Sequence, residues 1–383
     1  MLQSTPYGLG LDISDRSMMA CLRSPDGSAA EETTLSTSPA VVAMYLRRLK
    51  DLQPVVALET GTHSNWIYDL AKELGFEQVI LADARMLKVI FHSDKKTDRL
   101  DAQVLARFAQ TCPELLHGIR PRGEQARQDR RLLSARRVSV QVRTKLINHV
   151  RGIVKSSGAR LADCDTQSFP GLAESLPENL RQVLAPLFAA LTQLTESIAD
   201  YDKLVKQRCT GDPVIERLMQ VPGVGPTTAL AFESAIEDPA RFARNRTVAS
   251  YLGLRPKVDQ SGTIEKQLRI TKAGDGYVRQ LLVQCAHAIL SKRTPVSDLK
   301  RWGQNIAESG GKRGKRRAAV AVARKLAVLL LTLWKTGSDY EPLRKRTAAN
   351  GPEEVKGKGA AAPASRRASR KPVSRKPAAV KTA

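Results

Sequence analysis

The sequence predicts an α/β domain at the N-terminus, a pair of long helices in the middle and a mostly α domain toward the C-terminus. Three observations predict it. Between Tyr7 and Leu81 short apolar runs alternate with amphipathic stretches, as strands and helices do in an α/β unit. From Glu124 to Val205 apolar residues recur at helical spacing. Beyond Thr228 apolar helices are separated by Gly and Pro turns. At 383 residues the chain can bury several cores. The expected divisions are 1–120, 121–210 and 211–340, with 341–383 as a basic tail. That tail is Ala, Pro, Ser, Lys and Arg without periodicity and cannot bury a core, so disorder and nonspecific nucleic-acid contact are expected of it.

Composition narrows the function. Lys and Arg total 62 against 38 Asp and Glu, a net charge of +24, which points to a polyanionic partner, nucleic acid before any other. Five scattered cysteines without a CxxC indicate neither a disulfide framework nor a zinc site. There is no apolar run of membrane-spanning length and no signal-peptide pattern. The expectation is a soluble cytoplasmic protein without a membrane partner, nucleoid-associated when bound to DNA.

In order along the chain, Tyr7–Ile13 and Ser17–Arg23 read as strands, and Pro25-Asp26-Gly27 turns the chain into a third near Glu31–Leu35. A helix is expected at about Pro39–Leu52, strand Val55–Leu58 ending at Glu59, helix Asn65–Leu74 and strand Gln78–Leu81. Helices from Asp83 and from Asp98 follow. A three-stranded meander and then alternating helices and strands is the order of a ribonuclease-H-like domain. Asp12 then lies near the end of the first strand and Glu59 at the end of the fourth, on one sheet edge. Thr97 is a plausible N-cap, and Asp98 and Asp101 share one face of the helix it opens. An acidic first turn is also ordinary helix-start chemistry. Four acids at four suitable places nonetheless suggest a hard-oxygen cage for one or two Mg²⁺ acting on phosphates.

Val142, Leu146, Val150, Ile153 and Val154 stripe a long Arg-rich helix. After a bend near Ser168–Pro177, Leu180, Leu184, Leu187, Leu191, Leu194, Ile198, Tyr201 and Val205 alternate steps of four and three, a coiled-coil seam. The heptads alone leave open whether it closes within one chain or between two. Pro186 sits awkwardly within it. Gln220–Pro226, with Gly223 and Gly225, resembles a helix-hairpin-helix turn, whose backbone amides bind a DNA phosphate; a plain turn between helices is the alternative. Ser261 stands before Gly262 in a polar loop among Arg255, Lys257, Lys266, Arg269, Lys272 and Arg279. Most such serines are turn residues. In this electropositive setting, however, a serine can attack a phosphodiester.

Three stretches, Gly10–Ser14, Leu58–Gly61 and Lys96–Ala102, resemble the Asp-Glu-Asp-Asp signature of the insertion-sequence-110 family of transposases. The pattern Tyr-x-Gly-Leu, Ser-Gly, Ile-Thr-Lys-x-Gly-Asp and Arg across 251–279 resembles that family's C-terminal domain. The resemblance spans roughly residues 6 to 335. It departs where the family often has paired serines and Asn after the Gly; this chain has Gln260-Ser261 and Asp275. It implies a Holliday-junction-resolvase-like first domain, Asp12, Glu59, Asp98 and Asp101 as Mg²⁺ ligands, and Ser261 as nucleophile. It also implies oligomerisation, DNA (element ends and target) as substrate and a structured noncoding bridge RNA that chooses it. Lys96, Gly223, Gly225, Arg255, Arg269, Lys272 and Arg279 are the expected nucleic-acid contacts. Two other classes remain open at this point. One is a structure-selective Mg²⁺ nuclease without serine chemistry, the other an actin-like ATPase or sugar kinase, which the charge disfavours.

Overall fold

The computed structural model describes residues 5–83, 97–261 and 264–343. The first domain is a mixed five-stranded sheet in the order β3-β2-β1-β4-β5. Its strands are β1 (Gly8–Ile13), β2 (Ser17–Arg23), β3 (Ala29–Ser36), β4 (Val55–Glu59) and β5 (Val79–Ala82). The meander β1-β2-β3 is antiparallel, while β4 and β5 add in parallel on the far side of β1. Alternation sorts the central strands. Leu9, Leu11, Val56 and Leu58 face α1 (Pro39–Leu49) and α2 (Ser64–Glu73), where Leu46 and Ile67 are fully buried. The other face is covered by α3 (Asp98–Thr111), through Leu105 and Ala109 against Val55 and Ala57.

Two antiparallel helices follow, α4 (Glu124–Ser156) and α5 (Glu178–Cys209), joined through a 3₁₀ segment at Phe169–Ser175. Ile147, Val150 and Val154 of α4 pack on Leu184, Phe188 and Leu191 of α5, so the seam closes within the chain. Its buried members are Leu184, Leu191, Ile198 and Val205, whereas Leu187 and Leu194 are only half-buried. Pro186 lies inside α5 without ending it.

The third domain is built on α6 (Pro213–Met219), α7 (Pro226–Ile236), α8 (Thr247–Tyr251), α9 (Gly276–Leu290), α10 (Asp298–Ser309) and α11 (Gly314–Thr336). Their apolar faces form one core with Leu133, Val205 and Cys209 from the ends of the helical pair. One expectation is corrected here. Ser261 ends a strand of an antiparallel pair, β6 (Pro256–Ser261) and β7 (Ile264–Ile270), where no strands were expected. Residue-by-residue alternation is present in the sequence at Val258, Ile264, Leu268 and Ile270, but interleaved charges obscure it. Lys96, most of the helix expected from Asp83, Gly262 and the tail from 344 onward lie outside the described residues.

Candidate functional site

Gly8, Gly10 and Asp12 alternate onto one face of β1, with Leu9 and Leu11 on the other. A Cβ at Gly10 would sit 2.1 Å from the Ala102 carbonyl oxygen, and one at Gly8 would sit 2.3 Å from that of Ala106. The two glycines therefore let α3 lie directly on the strand backbone. Helix and strand run in opposite senses and in step. Four helix residues rise about 6 Å, and two strand residues advance about 6.8 Å. Since Gly8 meets Ala106 and Gly10 meets Ala102, the next pair in register is Asp12 with Asp98.

The second stripe of α3 does the same over β4. Leu105 and Ala109 pack on Val55 and Ala57, the next strand residue on that face is Glu59, and the residue heading that stripe is Asp101. An Asp-x-x-Asp pair thus matches two adjacent parallel strands, one acid for each strand end. The N-cap expectation holds, as Thr97 accepts from the Leu100 amide at 3.3 Å. Arg99 pairs with Glu32 on β3, and the buried Gln110 donates to the carbonyls of Pro6 and Ser24. Both ends of α3 are therefore fixed on the sheet.

Asp12 and Glu59 line one pocket of about 270 Å³ together with Asp15 and His63. The sequence did not single out the last two. Trp66 donates to His63 Nδ1 at 3.1 Å, which leaves Nε2 to carry the proton, 3.5 Å from Asp15. The donor chemistry fits a hard divalent ion, being carboxylates from two strand ends beside a helix start. Among the described residues no three His, Cys, Asp or Glu side chains stand close enough to share one ion. The backbone register is thus present, while the side chains are not drawn together.

Ser261 ends β6, opposite Ile264. The base of its hairpin is locked by two glycines with positive φ, Gly253 at 69° and Gly274 at 66°. A Cβ at Gly274 would lie 2.0 Å from the Tyr251 carbonyl oxygen, and one at Gly253 would lie 2.2 Å from that of Ala273. Between these interlocked turns Thr271 N donates to Arg255 O at 2.9 Å and Lys272 N to Gly253 O at 3.1 Å. Arg279 adds Nη1 bonds to the carbonyls of Leu252 and Ala273, a structural role alongside the phosphate contact expected of it. Asp275 caps α9 by accepting from the Tyr277 and Val278 amides and pairs with Arg130 of α4 at 2.6 Å. Burial alone would raise its carboxyl, but Arg130 and those amides bring it below the ordinary value. Arg255, Arg269 and Lys272 are exposed around the hairpin. In the Gln220–Gly225 turn, Gly223 has φ of 90° and abuts α9 at Cys285, while Gly225 is the N-cap of α7.

Comparison with known proteins follows the same division. Residues 9–158 match a model of transposases of the DEDD type found in IS110, and residues 215–300 match the model described as the transposase IS116/IS110/IS902 family. The chain is similar to the transposase for insertion sequence element IS1111A of Coxiella burnetii, 28% identical over 78% of this chain and 85% of the relative. A probable family 20 transposase of Pseudomonas aeruginosa is 28% identical over 75% of this chain and 86% of its own length. A pilin gene-inverting protein of Moraxella bovis is 28% identical over a shorter stretch, 35% of this chain and 42% of its own.

Proposed function

The chain belongs to the IS110/IS116/IS902 family of transposases, and from that premise we propose a serine recombinase that moves its own element. DNA transposition is the family's activity, and in this chain the chemistry falls to two groups of residues. Asp12, Glu59, Asp98 and Asp101 would hold Mg²⁺. When bound, the ion supplies Lewis-acid stabilisation of charge on the scissile phosphate and the leaving oxygen. Ser261 Oγ forms an ester bond to phosphorus as one P–O bond to sugar breaks, and that sugar leaves as a free hydroxyl. The ester conserves the phosphodiester's energy, so a second hydroxyl can reverse the step on another strand without ATP. Arg255, Arg269 and Lys272 stabilise the added negative charge. The two sites act as one composite centre across subunits of a homo-oligomer, and a structured RNA selects the DNA by base pairing.

The observation that carries this reading is the step-for-step register of α3 on β1 and β4, with an acid at the head of each helix stripe and at the end of each strand. Helix-start chemistry alone asks nothing of Asp12 and Glu59. A recombination assay in Mg²⁺ tests it. Asp98→Asn should abolish recombination while leaving DNA binding and folding intact. Full activity of that variant would remove the carboxylate site. A metal nuclease without serine chemistry would show itself by undiminished cleavage in Ser261→Ala.

A further inference from the structure

Helix α11 has two different sides. Ala319, Val322, Ala323, Leu326 and Leu330 are buried in the domain core. The opposite side lines a groove of about 1870 Å³, into which Arg313, Arg316, Arg317, Arg324 and Lys325 enter from α11 and its first turn. The facing wall is the base of the Ser261 hairpin and its approach, contributing Arg246, Arg269 and Lys272. Its acids are Asp298 and Glu341, set beside Pro342 where Asp298 N donates to Pro342 O at 2.9 Å. Among the described residues none of these eight cations is in an ion pair. On the helical pair, by contrast, Arg127 is paired with Asp69, Arg130 with Asp275 and Arg208 with Asp129. Gathering eight cations along one concavity against two acids opposes folding through repulsion, so an anion of matching extent is what offsets it.

We infer that this groove is a clamp for the phosphodiester backbone of a nucleic acid. It shares no residue with the carboxylate pocket and meets the Ser261 hairpin only at its base. The inference rests on the reading of this chain as an enzyme of nucleic acid. Its lining also holds apolar Leu254, Leu299 and Val320, which suit sugar edges. Binding there is governed by phosphate contacts and counterion release. Because Arg269 and Lys272 belong both to this wall and to the hairpin base, a strand held in the groove leads toward Ser261.

The test uses the full chain and two labelled probes, a duplex DNA of arbitrary sequence and an RNA hairpin, across a salt titration. Arg316, Arg317 and Arg324 are exposed, and their replacement by Gln keeps helix propensity. The triple variant should bind about tenfold more weakly at physiological salt, with the log–log salt slope reduced by roughly three. Removing three charges elsewhere, through Arg47→Gln, Lys50→Gln and Lys206→Gln, should change the slope far less. A larger loss on one probe names the source of the strand, and either pattern supports the clamp. Equal behaviour of the two triple variants would overturn it while leaving the proposed recombinase standing. Displacement of the probes by polyglutamate as effectively as by unlabelled DNA would also overturn it, in favour of an acidic protein partner. A wild-type protein that binds neither probe would contradict the recombinase reading itself, and the clamp with it.

Discussion

At the scale of single residues, two kinds of position decide the architecture, and neither is an acid of the proposed site. Gly10 is one: any side chain there meets the backbone of Ala102, which cannot give way without lifting α3. Gly10→Ala should destabilise the protein by about 2 kcal/mol or more, as overpacking does, and lower activity with it. An unchanged denaturant midpoint would contradict the direct seating of α3 on β1. Glu233 is the other. It lies partly buried on α7, 3.8 Å from Arg208, which also bonds Asp129 and Asp212. Burial, then repulsion from Asp212, pushes its carboxyl up to about 7 despite Arg208. The folded state therefore holds a proton that the unfolded chain has released, and stability falls as pH rises from about 5 to about 8. In Glu233→Gln that fall should be absent, as unfolding at both ends of the range would show; an identical slope in the two proteins would refute the assignment. The four acids of the proposed site were singled out in the sequence by their placement at two strand ends and a helix start. The Gly-x-Gly that sets their register was read only as part of a strand, although period-two glycine in a strand signals a close backbone approach. Glu233 gave no signal, because its neighbours are apolar and its partners come from α4 and α5.

At the scale of elements, hydrophobic periodicity located the long helices but not α6, α8 or α10, and it did not say what each would pack against. The heptads of α5 are an instance. One face closes on α4, yet Val183 is 70% and Leu204 49% exposed, and they run in line with half-buried Leu187 and Leu194. That second stripe keeps coiled-coil spacing, and it suits a partner helix from another copy. Val183→Asp with Leu204→Asp should lower the mass in light scattering without unfolding the chain. An unchanged mass would leave the seam wholly intramolecular. The hairpin shows the reverse case, since its strands were hidden by charge while its motif residues stood out. In the fold those residues hold the hairpin in place, because Gly253 and Gly274 interlock and Asp275 anchors the assembly to Arg130. Arg130→Ala should cost about 3 kcal/mol by stranding a buried carboxylate. Adding Asp275→Asn, which keeps the N-cap, should recover most of that loss. Additive effects in this double-mutant cycle would mean that the pair is not coupled.

At the scale of the whole molecule, the helical pair is the common frame. Arg127 of α4 reaches Asp69 in the first domain, Arg130 reaches the hairpin base, and Asp129 joins Arg208 beneath the third domain. Three nearby positions along part of one helix thus connect the carboxylate domain and the serine domain. None of the described helices is long and apolar enough to cross a membrane, and the charge of +24 is carried by a chain with a basic groove beside the hairpin. On the proposed mechanism both domains act on one phosphodiester, with Ser261 as the residue that accepts it. Trapping the full-length protein on nicked suicide DNA in Mg²⁺, followed by digestion and peptide mass spectrometry, tests this most directly. The expected product is a nucleotide ester on Ser261 that is absent from both Ser261→Ala and Asp98→Asn, although both variants still bind the DNA. An ester on any other residue, or cleavage by Ser261→Ala at the wild-type rate, would contradict it.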